Sequence, residues 1–465
     1  MKVTLLGVSS NPPLGMAEFS GKTCYQDEMP GLINEEENAK KFVQNKLFFV
    51  SHHTTLEHTN FTFFLEDIPV SDVTLGLHLT HPFYNSDQRS GRYCAKMFIN
   101  PDYISIRAHI LSLWPECTPT QVENVLGFIK LGTEIYSSHI SEAIATTAKL
   151  FRQERPDLNE EVIADRAPKI AQEQLRVFIS TIFPTGLVHT IDLVTLVSLW
   201  ESAWSPGMRK ITEMMKERIL EKYPQIAFMF DHNRRRKDDW ICRWPLILPK
   251  EILVLNPKVE DVNFQDLMEF KSPEETDMHP VDKLHFLPER MENNIGMISY
   301  RARISLTTMG QDQRHRTVRR GEPIFTGQFY LTPICQELRM EKIAKSFFSY
   351  YCDLRDSIPV SLFSAIAPYG TVVTYKKTST FNAWLHESAK RFCWQAQEEI
   401  YNLNVLLRDA ILSLSKNKES NHTKEGIKKI IAKMIPPCFH SGACAEGVRY
   451  CGRDLKCRES KFRKV

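Results

Sequence analysis

His52-His53-Thr54-Thr55-Leu56-Glu57-His58 runs directly into Thr59-Asn60-Phe61-Thr62-Phe63-Phe64-Leu65-Glu66. The second half of that stretch has the aromatic and β-branched content of a strand. Upstream, Val3 to Val8 reads as a first strand, and residues 35–51 read as a helix with Phe42, Leu47 and Val50 among its apolar positions. Downstream, a helix is predicted over residues 73–79, ending near Pro82, whose ring cannot continue it comfortably. Long helical segments follow over residues 120–151, 159–183 and 191–222. A few strands set among long helices make an α+β pattern, with small mixed or antiparallel sheets packed by helices.

The chain has 465 residues, more than one domain usually holds, so two domains and a tail are expected. Its 42% hydrophobic and 25% charged content suits a soluble globular protein with a real core. A formal charge of +3 gives no whole-protein field for nucleic acid or a membrane, so any anion site must come from local arginines. The best apolar run, residues 187–200, is interrupted by His189 and Asp192 and cannot span a bilayer. The N-terminus lacks the apolar length of a signal peptide. Eleven cysteines without a secretory signal imply a reducing compartment, and the cytoplasm is the expected location.

The second half of the chain repeats the first. Pro184-Thr185-Gly186-Leu187-Val188 is answered by Pro368-Tyr369-Gly370-Thr371-Val372, and Leu199-Trp200-Glu201-Ser202-Ala203 by Leu385-His386-Glu387-Ser388-Ala389. An Arg- and Gly-bearing loop followed by an aromatic strand is read twice, over residues 91–98 and 321–330. The shared order argues for duplication, with units too long for a solenoid repeat. The expected organisation is a first copy over 1–228, a connector over 229–250, a second copy over 251–415 and a Cys-rich tail over 416–465. Glu251 to Leu255 would open the second copy as a strand. The basic run Arg234-Arg235-Arg236-Lys237, beside Asp231, Asp238 and Asp239, is expected to be a solvated loop.

Three segments carry chemistry. Arg314-His315-Arg316 offers planar forked donors for a phosphate or for the carbonyl edge of a ring, or else is a solvated basic loop with Arg319 and Arg320. Arg89-Ser90-Gly91-Arg92-Tyr93 combines a hydroxyl, a glycine that allows close backbone approach and an arginine fork, as a phosphate cradle or as a simple turn. The histidines and Glu57 of residues 52–58 match no standard zinc spacing; they suit a ligand-lining histidine or a helix cap.

In their order these segments resemble the flavin-dependent thymidylate synthase family. That family's signature is R-H-R-x-x-S-x-x-x-x-S-x-R, preceded by H-x-T-x-x-E-H and a Phe-Thr-Phe strand. Here stand His52 to His58, Phe61-Thr62-Phe63, Thr80-His81-Pro82 and Ser90-Gly91-Arg92-Tyr93, with Lys22-Thr23-Cys24-Tyr25 resembling the early R-V-C-Y segment. In the second copy, Gln311-Asp312-Gln313-Arg314-His315-Arg316 resembles the Q-x-x-R-H-R part, and Ala396-Gln397-Glu398-Glu399-Ile400, with Arg391 upstream, resembles the R…A-Q-x-E-I helix. The copies depart from the pattern in opposite ways. Thr80 and Pro82 replace the signature arginines in the first, while Arg320-Gly321-Glu322 replaces Ser-Gly-Arg in the second, where Glu322 would repel a phosphate.

The resemblance implies an enzyme that converts dUMP to dTMP with FAD, using methylenetetrahydrofolate and NADPH as co-substrates. It implies sites that draw residues from several subunits of a homotetramer, so that a homodimer of double units would stand in for it. Ser90, Gly91 and Arg92 would then hold the nucleotide phosphate and sugar, and Gln311, Arg314 and Arg391 would reach the same nucleotide. His52, Thr54, Glu57, His58, Arg314, His315 and Arg316 would serve the flavin. Arg314, Arg92 and Ser90 are the catalytic candidates, acting by positioning rings and polarising carbonyls. No cysteine nucleophile is needed, and Cys24 and Cys94 are assigned to packing. The asparagine and arginine with which the family grips FAD from a long helix have no clear counterparts; Asn382 is the nearest.

After a lysine-rich helix over 424–434 come Cys438, His440, Cys444, Cys451 and Cys457, with Gly442, Gly447 and Gly452 between them. They could close around zinc or an iron–sulfur cluster, although the spacings are not paired C-x-x-C; otherwise they form a tail packed on the core. Two other functions stay open: a related modification of a pyrimidine nucleotide at C5, and a catalytically silent nucleotide-binding or scaffold subunit.

Overall fold

The structure is a computed structural model that describes residues 1–9, 12–24, 26–31, 36–79, 84–91, 94, 96–240, 243–267, 291, 295–417, 421–444, 446–447, 450–456 and 461–465. It is a mixed α+β protein of two compact units that interleave in sequence. The first unit comprises Met1–Leu126, Thr181–Ile241 and Arg355–Ile366; the second comprises Gly127–Ser180, Cys242–Leu354 and Ala367–Val465. Among the described residues no helix is long and apolar enough to cross a membrane.

In the first unit, β1 (Lys2–Val8), β2 (Asn60–Pro69), β3 (Tyr84–Gln88) and β4 (Pro184–Asp192) form an antiparallel sheet of order β1-β2-β4-β3. The period-2 alternation of β2 puts Phe61, Phe63 and Leu65 fully inside, as the side-chain geometry of a pleated strand requires. The helix Pro206–Leu220 meets this sheet through Met208, Ile211, Met215 and Ile219, spaced three and four residues apart along one stripe. Ser205 caps that helix, accepting from the Met208 N–H at 3.1 Å, and Pro206 supplies a pre-set first turn. Capping and proline together explain why residues 191–222 are two helices, Leu193–Ser202 and Pro206–Leu220, rather than the single one expected. Asp192 caps the first of these through Thr195.

The basic run is a loop whose Arg234, Arg236 and Lys237 are exposed, as expected, while Arg235 is half-buried. Arg235 lies 4.7 Å over the buried Trp200 ring and donates to Glu213 at 2.5 Å, while Arg234 pairs with Glu201 at 3.2 Å. The Lys216 ammonium lies 5.1 Å from the same ring, so two cations rest against Trp200. Residues 91–98 also differ from expectation: Lys96–Ile99 is a helical turn, and the unit's fourth strand is β3, upstream of the Arg-Gly loop.

Asp72 is buried over the start of the helix Pro206–Leu220, with the Ser205 hydroxyl 3.4 Å away. Burial pushes its carboxyl up to about 7, and the Ser205 hydrogen bond acts in the other direction. A Cβ on Gly207 would stand 2.1 Å from that carboxylate. Gly207→Ala should therefore destabilise the protein by about 1–3 kcal/mol. Gly7→Ala, whose Cβ meets nothing within 4 Å, should leave the urea midpoint unchanged.

The second unit holds β5 (Leu253–Val254), β6 (Lys258–Gln265), β7 (Met297–Ser305), β8 (Arg319–Arg320), β9 (Ile324–Tyr330) and β10 (Thr371–Thr380), ordered β5-β9-β10-β7-β6 with β8 also on β10. The expected opening strand over 251–255 is reduced to the two residues of β5, a parallel edge on β9. The sheet packs an aromatic cluster: Phe178 with Phe329 and Phe347, and Phe128 with Phe347 and Tyr351, at centroid distances of 5.0–5.5 Å. Most of the helix Pro119–Glu154 belongs here, matching the stretch expected over 120–151. The helix expected over 159–183 stops at Leu175 and tightens into a 3-10 turn, Arg176–Phe178.

The two sheets share a topology. The run β6-β7-β10-β9 repeats β1-β2-β4-β3 in chain order, and every neighbouring pair in both runs is antiparallel. In each, a helix follows the second strand directly: Val70–Asp72 after β2 and Leu306–Asp312 after β7.

Candidate functional site

The Arg314-His315-Arg316 turn leaves the end of the helix Leu306–Asp312, and the second unit fixes that helix at both ends. At its start Ser305 is the cap, accepting from Thr308 N at 3.3 Å. The buried Glu399 carboxylate accepts from the Ser305 N–H at 2.8 Å, from the Ser305 hydroxyl and from the Thr308 hydroxyl at 2.5 Å. At its far end Gln311 donates to Gln397 at 2.5 Å, and Arg391 donates to the Gln311 carbonyl at 2.6 Å. The A-Q-x-E-I segment thus braces the helix that carries the turn.

Below the turn lies a buried four-charge network. Asp312 accepts from Arg320 Nε at 2.6 Å, Lys377 Nζ at 2.6 Å and the Tyr375 hydroxyl at 2.8 Å. Lys377 also donates to Glu387 at 2.7 Å. Burial alone would neutralise Asp312, but Arg320 and Lys377 outweigh it and hold the carboxyl well below its usual range. Burial raises Glu387, with Lys377 acting against the shift. Arg320 then turns its other nitrogens on the loop itself, donating to the carbonyls of His315 at 2.9 Å, Val318 at 2.7 Å and Asp312. The loop is wound around one guanidinium. Arg320, expected to share a solvated loop, is its internal strut, whereas Arg319 is exposed.

On this base Arg314 is exposed, while His315 and Arg316 are half-buried. The His315 ring meets His386 edge-on at 5.9 Å. Burial, then the Arg391 charge, pushes its imidazole down to about 2, so it is a neutral donor and acceptor at ordinary pH. The turn therefore presents two cations and one neutral ring, a donor set suited to phosphate and to ring carbonyls.

Glu399 gives the site a pH signature. Burial lifts its carboxyl to about 7 against the hydrogen bonds from Ser305 and Thr308. A folded-state value above the unfolded one means stabilisation present below about pH 4.5 and lost as pH rises through 7. His315 acts oppositely, losing stability as pH falls below 6.5. Glu399→Gln should make the decline between pH 4.5 and 7 shallower by one proton, leaving the share that Asp72 carries, read as urea midpoints across that range.

Apart from Asn382, the remaining nucleotide and flavin candidates belong to the first unit. Ser90 and Gly91 are half-buried in a turn closed by Cys94 N to Ser90 O at 3.1 Å, and tied to β4 by Arg89 N to Gly186 O at 2.8 Å. Arg92, Tyr93 and Thr80-His81-Pro82 lie outside the described residues. His52, Thr54, Glu57 and His58 are exposed around the 3-10 turn His53–Leu56; the packed histidine is His53, hydrogen-bonded to Phe48 O at 3.2 Å. Asn382 is buried at the start of the helix Phe381–Arg391. Cys24, expected in packing, is exposed, its thiol 3.6 Å from Ser20 O.

In the tail, Cys438 and Cys444 are half-buried and Cys451 is buried, while Cys457 and the His440 side chain lie outside the described residues. Among the described residues no group of three or more His, Cys, Asp or Glu is arranged to hold a metal ion. Burial, then the neighbouring Cys393, Cys451 and Cys444, pushes the Cys438 thiol up to about 11.

Sequence reasoning missed Asp312, Arg320, Lys377 and Glu387 as a unit. One signal was available: Lys377 sits in phase with Val373 and Tyr375 on the buried face of β10, where a lysine needs a carboxylate.

Fold and site together define an α+β protein with a braced, arginine-bearing turn suited to anionic and carbonyl-rich ligands. Residues 6–226 match the sequence model of the Thy1 family, described as thymidylate synthase complementing protein. No curated protein matches the chain significantly. Among solved structures, thymidylate synthase X from Helicobacter pylori with FAD and dUMP is 14% identical, covering 50% of this chain and 100% of that one, with a TM-score of 0.29. A UMP/dUMP methylase, PolB from Streptomyces cacaoi bound with 5-Br dUMP, is 14% identical, covering 49% of this chain and 94% of that one, with a TM-score of 0.31.

Proposed function

We propose that this chain is a tandemly duplicated, FAD-dependent enzyme that methylates dUMP to dTMP, with methylenetetrahydrofolate and NADPH as co-substrates. The observation that carries the reading is the Arg314-His315-Arg316 turn, wound on Arg320 and braced from Glu399, Gln397 and Arg391. The family match over residues 6–226 and the repeated strand order support the same reading.

The donor set fits a flavin: two guanidiniums and a neutral imidazole can donate to ring carbonyls and phosphate oxygens. When bound, FAD would supply the reducing equivalents, drawn from NADPH, for the one-carbon transfer. His315 and Arg316, with His52, Thr54, Glu57 and His58, hold the cofactor. Ser90, Gly91 and Arg92 hold the nucleotide phosphate, and Gln311 and Arg314 orient the base and polarise its carbonyls. Arg391 acts through Gln311. The two sets serve one nucleotide, whichever chain of an assembly supplies each. A homodimer of double units is the assembly proposed.

The test is a visible spectrum of the purified protein after incubation with FAD and gel filtration. Retained flavin absorbance that changes when dUMP is added is expected. Protein that stays colourless after reconstitution, yet is folded, would overturn the reading.

A further inference from the structure

The residues that brace the Arg314-His315-Arg316 turn come from one short stretch. Arg391, Gln397 and Glu399 reach the helix Leu306–Asp312. Between them, residues 392–397 leave helical structure before the helix Glu398–Asn417 begins. Carbonyls in such a turn need donors from elsewhere in the chain. Arg463 supplies them: its guanidinium donates to Trp394 O at 2.7 Å and to Ala396 O, and lies 5.1 Å over the Tyr401 ring. The fork grips the middle of the bracing stretch.

The segment that carries Arg463 is itself held in a built groove of the second unit. Among the described residues it pairs with no strand, yet each N–H and carbonyl of residues 463–465 is met by a side chain. Asn402 accepts from the Arg463 N–H and donates to the Arg463 carbonyl, both at 3.1 Å. Glu154 accepts from the Lys464 N–H at 2.6 Å and the Val465 N–H at 3.4 Å. Gln174 donates to Lys464 O at 2.5 Å, and Arg155 donates to Val465 O at 2.6 Å. Arg155, Gln174, Asn402 and Arg463 are all buried. Withdrawing the segment would cost each of them these partners out of reach of water, which fixes it in place.

We propose that Arg463 is a positioning residue for the Arg314-His315-Arg316 turn. It sets the 394–396 chain, and through that chain Gln397 and Glu399 set the helix that presents Arg314. The mechanical link stands on these hydrogen bonds, while its consequence for the nucleotide rests on the function proposed above.

The experiment is amide hydrogen exchange of the full chain, read peptide by peptide, with equilibrium dialysis of dUMP as the second readout. The Arg314 and His315 amides bond back to the Gln311 and Asp312 carbonyls, so their exchange reports how firmly the turn is seated. Arg463→Ala should speed exchange over residues 311–316 by about tenfold and weaken dUMP binding by about tenfold. Exchange in the helix Glu341–Asp353 of the same unit should not change. Arg463→Lys keeps the charge but not the fork. It should move both readouts the same way by less, and it takes the place of Arg463→Ala if that variant does not fold. Lys464→Ala, which removes an exposed pair with Glu337, should move neither. Unchanged exchange over 311–316 in the folded Arg463 variant, or equal acceleration in the helix Glu341–Asp353, would overturn the proposal. Faster exchange with unaltered dUMP affinity would overturn it too. Unmodified protein that binds no dUMP would count against the proposed function instead, and the exchange result would still decide the role of Arg463.

Discussion

Arg320→Ala should lower stability by about 3–5 kcal/mol, the usual result of removing one partner from a buried charge network. Asp312, fully buried, would keep Lys377 and Tyr375 but lose its closest guanidinium. The carbonyls of His315 and Val318 would lose their donor at the same time. Arg320→Lys should rescue little, because one ammonium cannot reach a carboxylate and several carbonyls in fork geometry. Arg319→Ala, on the exposed side of the same strand pair, should stay within about 0.5 kcal/mol of the unsubstituted protein. Urea unfolding followed by near-ultraviolet signals of the full chain measures all three. A small effect of Arg320→Ala would mean that the turn is not wound on that residue.

The second large effect concerns the ligand. Arg314→Ala and Arg92→Ala should each weaken dUMP binding by about 30-fold or more, from the 2–5 kcal/mol attached to truncating a hydrogen-bonded charge pair. Arg314 is exposed at the tip of the braced turn, so its removal should leave the unfolding midpoint nearly unchanged. That separates it from Arg320→Ala, which removes the support rather than the donor. Equilibrium dialysis with dUMP reads both variants. Normal binding by either folded variant would remove the reason for assigning both residues to one nucleotide.

Much of the fold was legible because it is written in local patterns. The alternation of Phe61, Phe63 and Leu65 marks β2 as a half-buried strand, and the 3.6-residue periodicity marks the helix Pro119–Glu154. Boundaries were lost where caps and prolines decide. Ser205-Pro206 splits one expected helix into two. Of the site, the Arg314-His315-Arg316 turn was legible by its donors. Its foundation was not, since Asp312, Arg320, Lys377 and Glu387 are up to 75 residues apart and are brought together by the β8–β10 pairing and by the helices Leu306–Asp312 and Phe381–Arg391. Arg320 and Arg319 are identical letters in sequence, and their opposite fates follow from which face of that short strand each occupies.

Product analysis after incubating the FAD-loaded protein with dUMP, methylenetetrahydrofolate and NADPH bears most directly on the central assignment. The expected result is dTMP, formed in step with NADPH oxidation and absent when dUMP or the folate is left out. Flavin-loaded, folded protein that binds dUMP and yields no dTMP would contradict it.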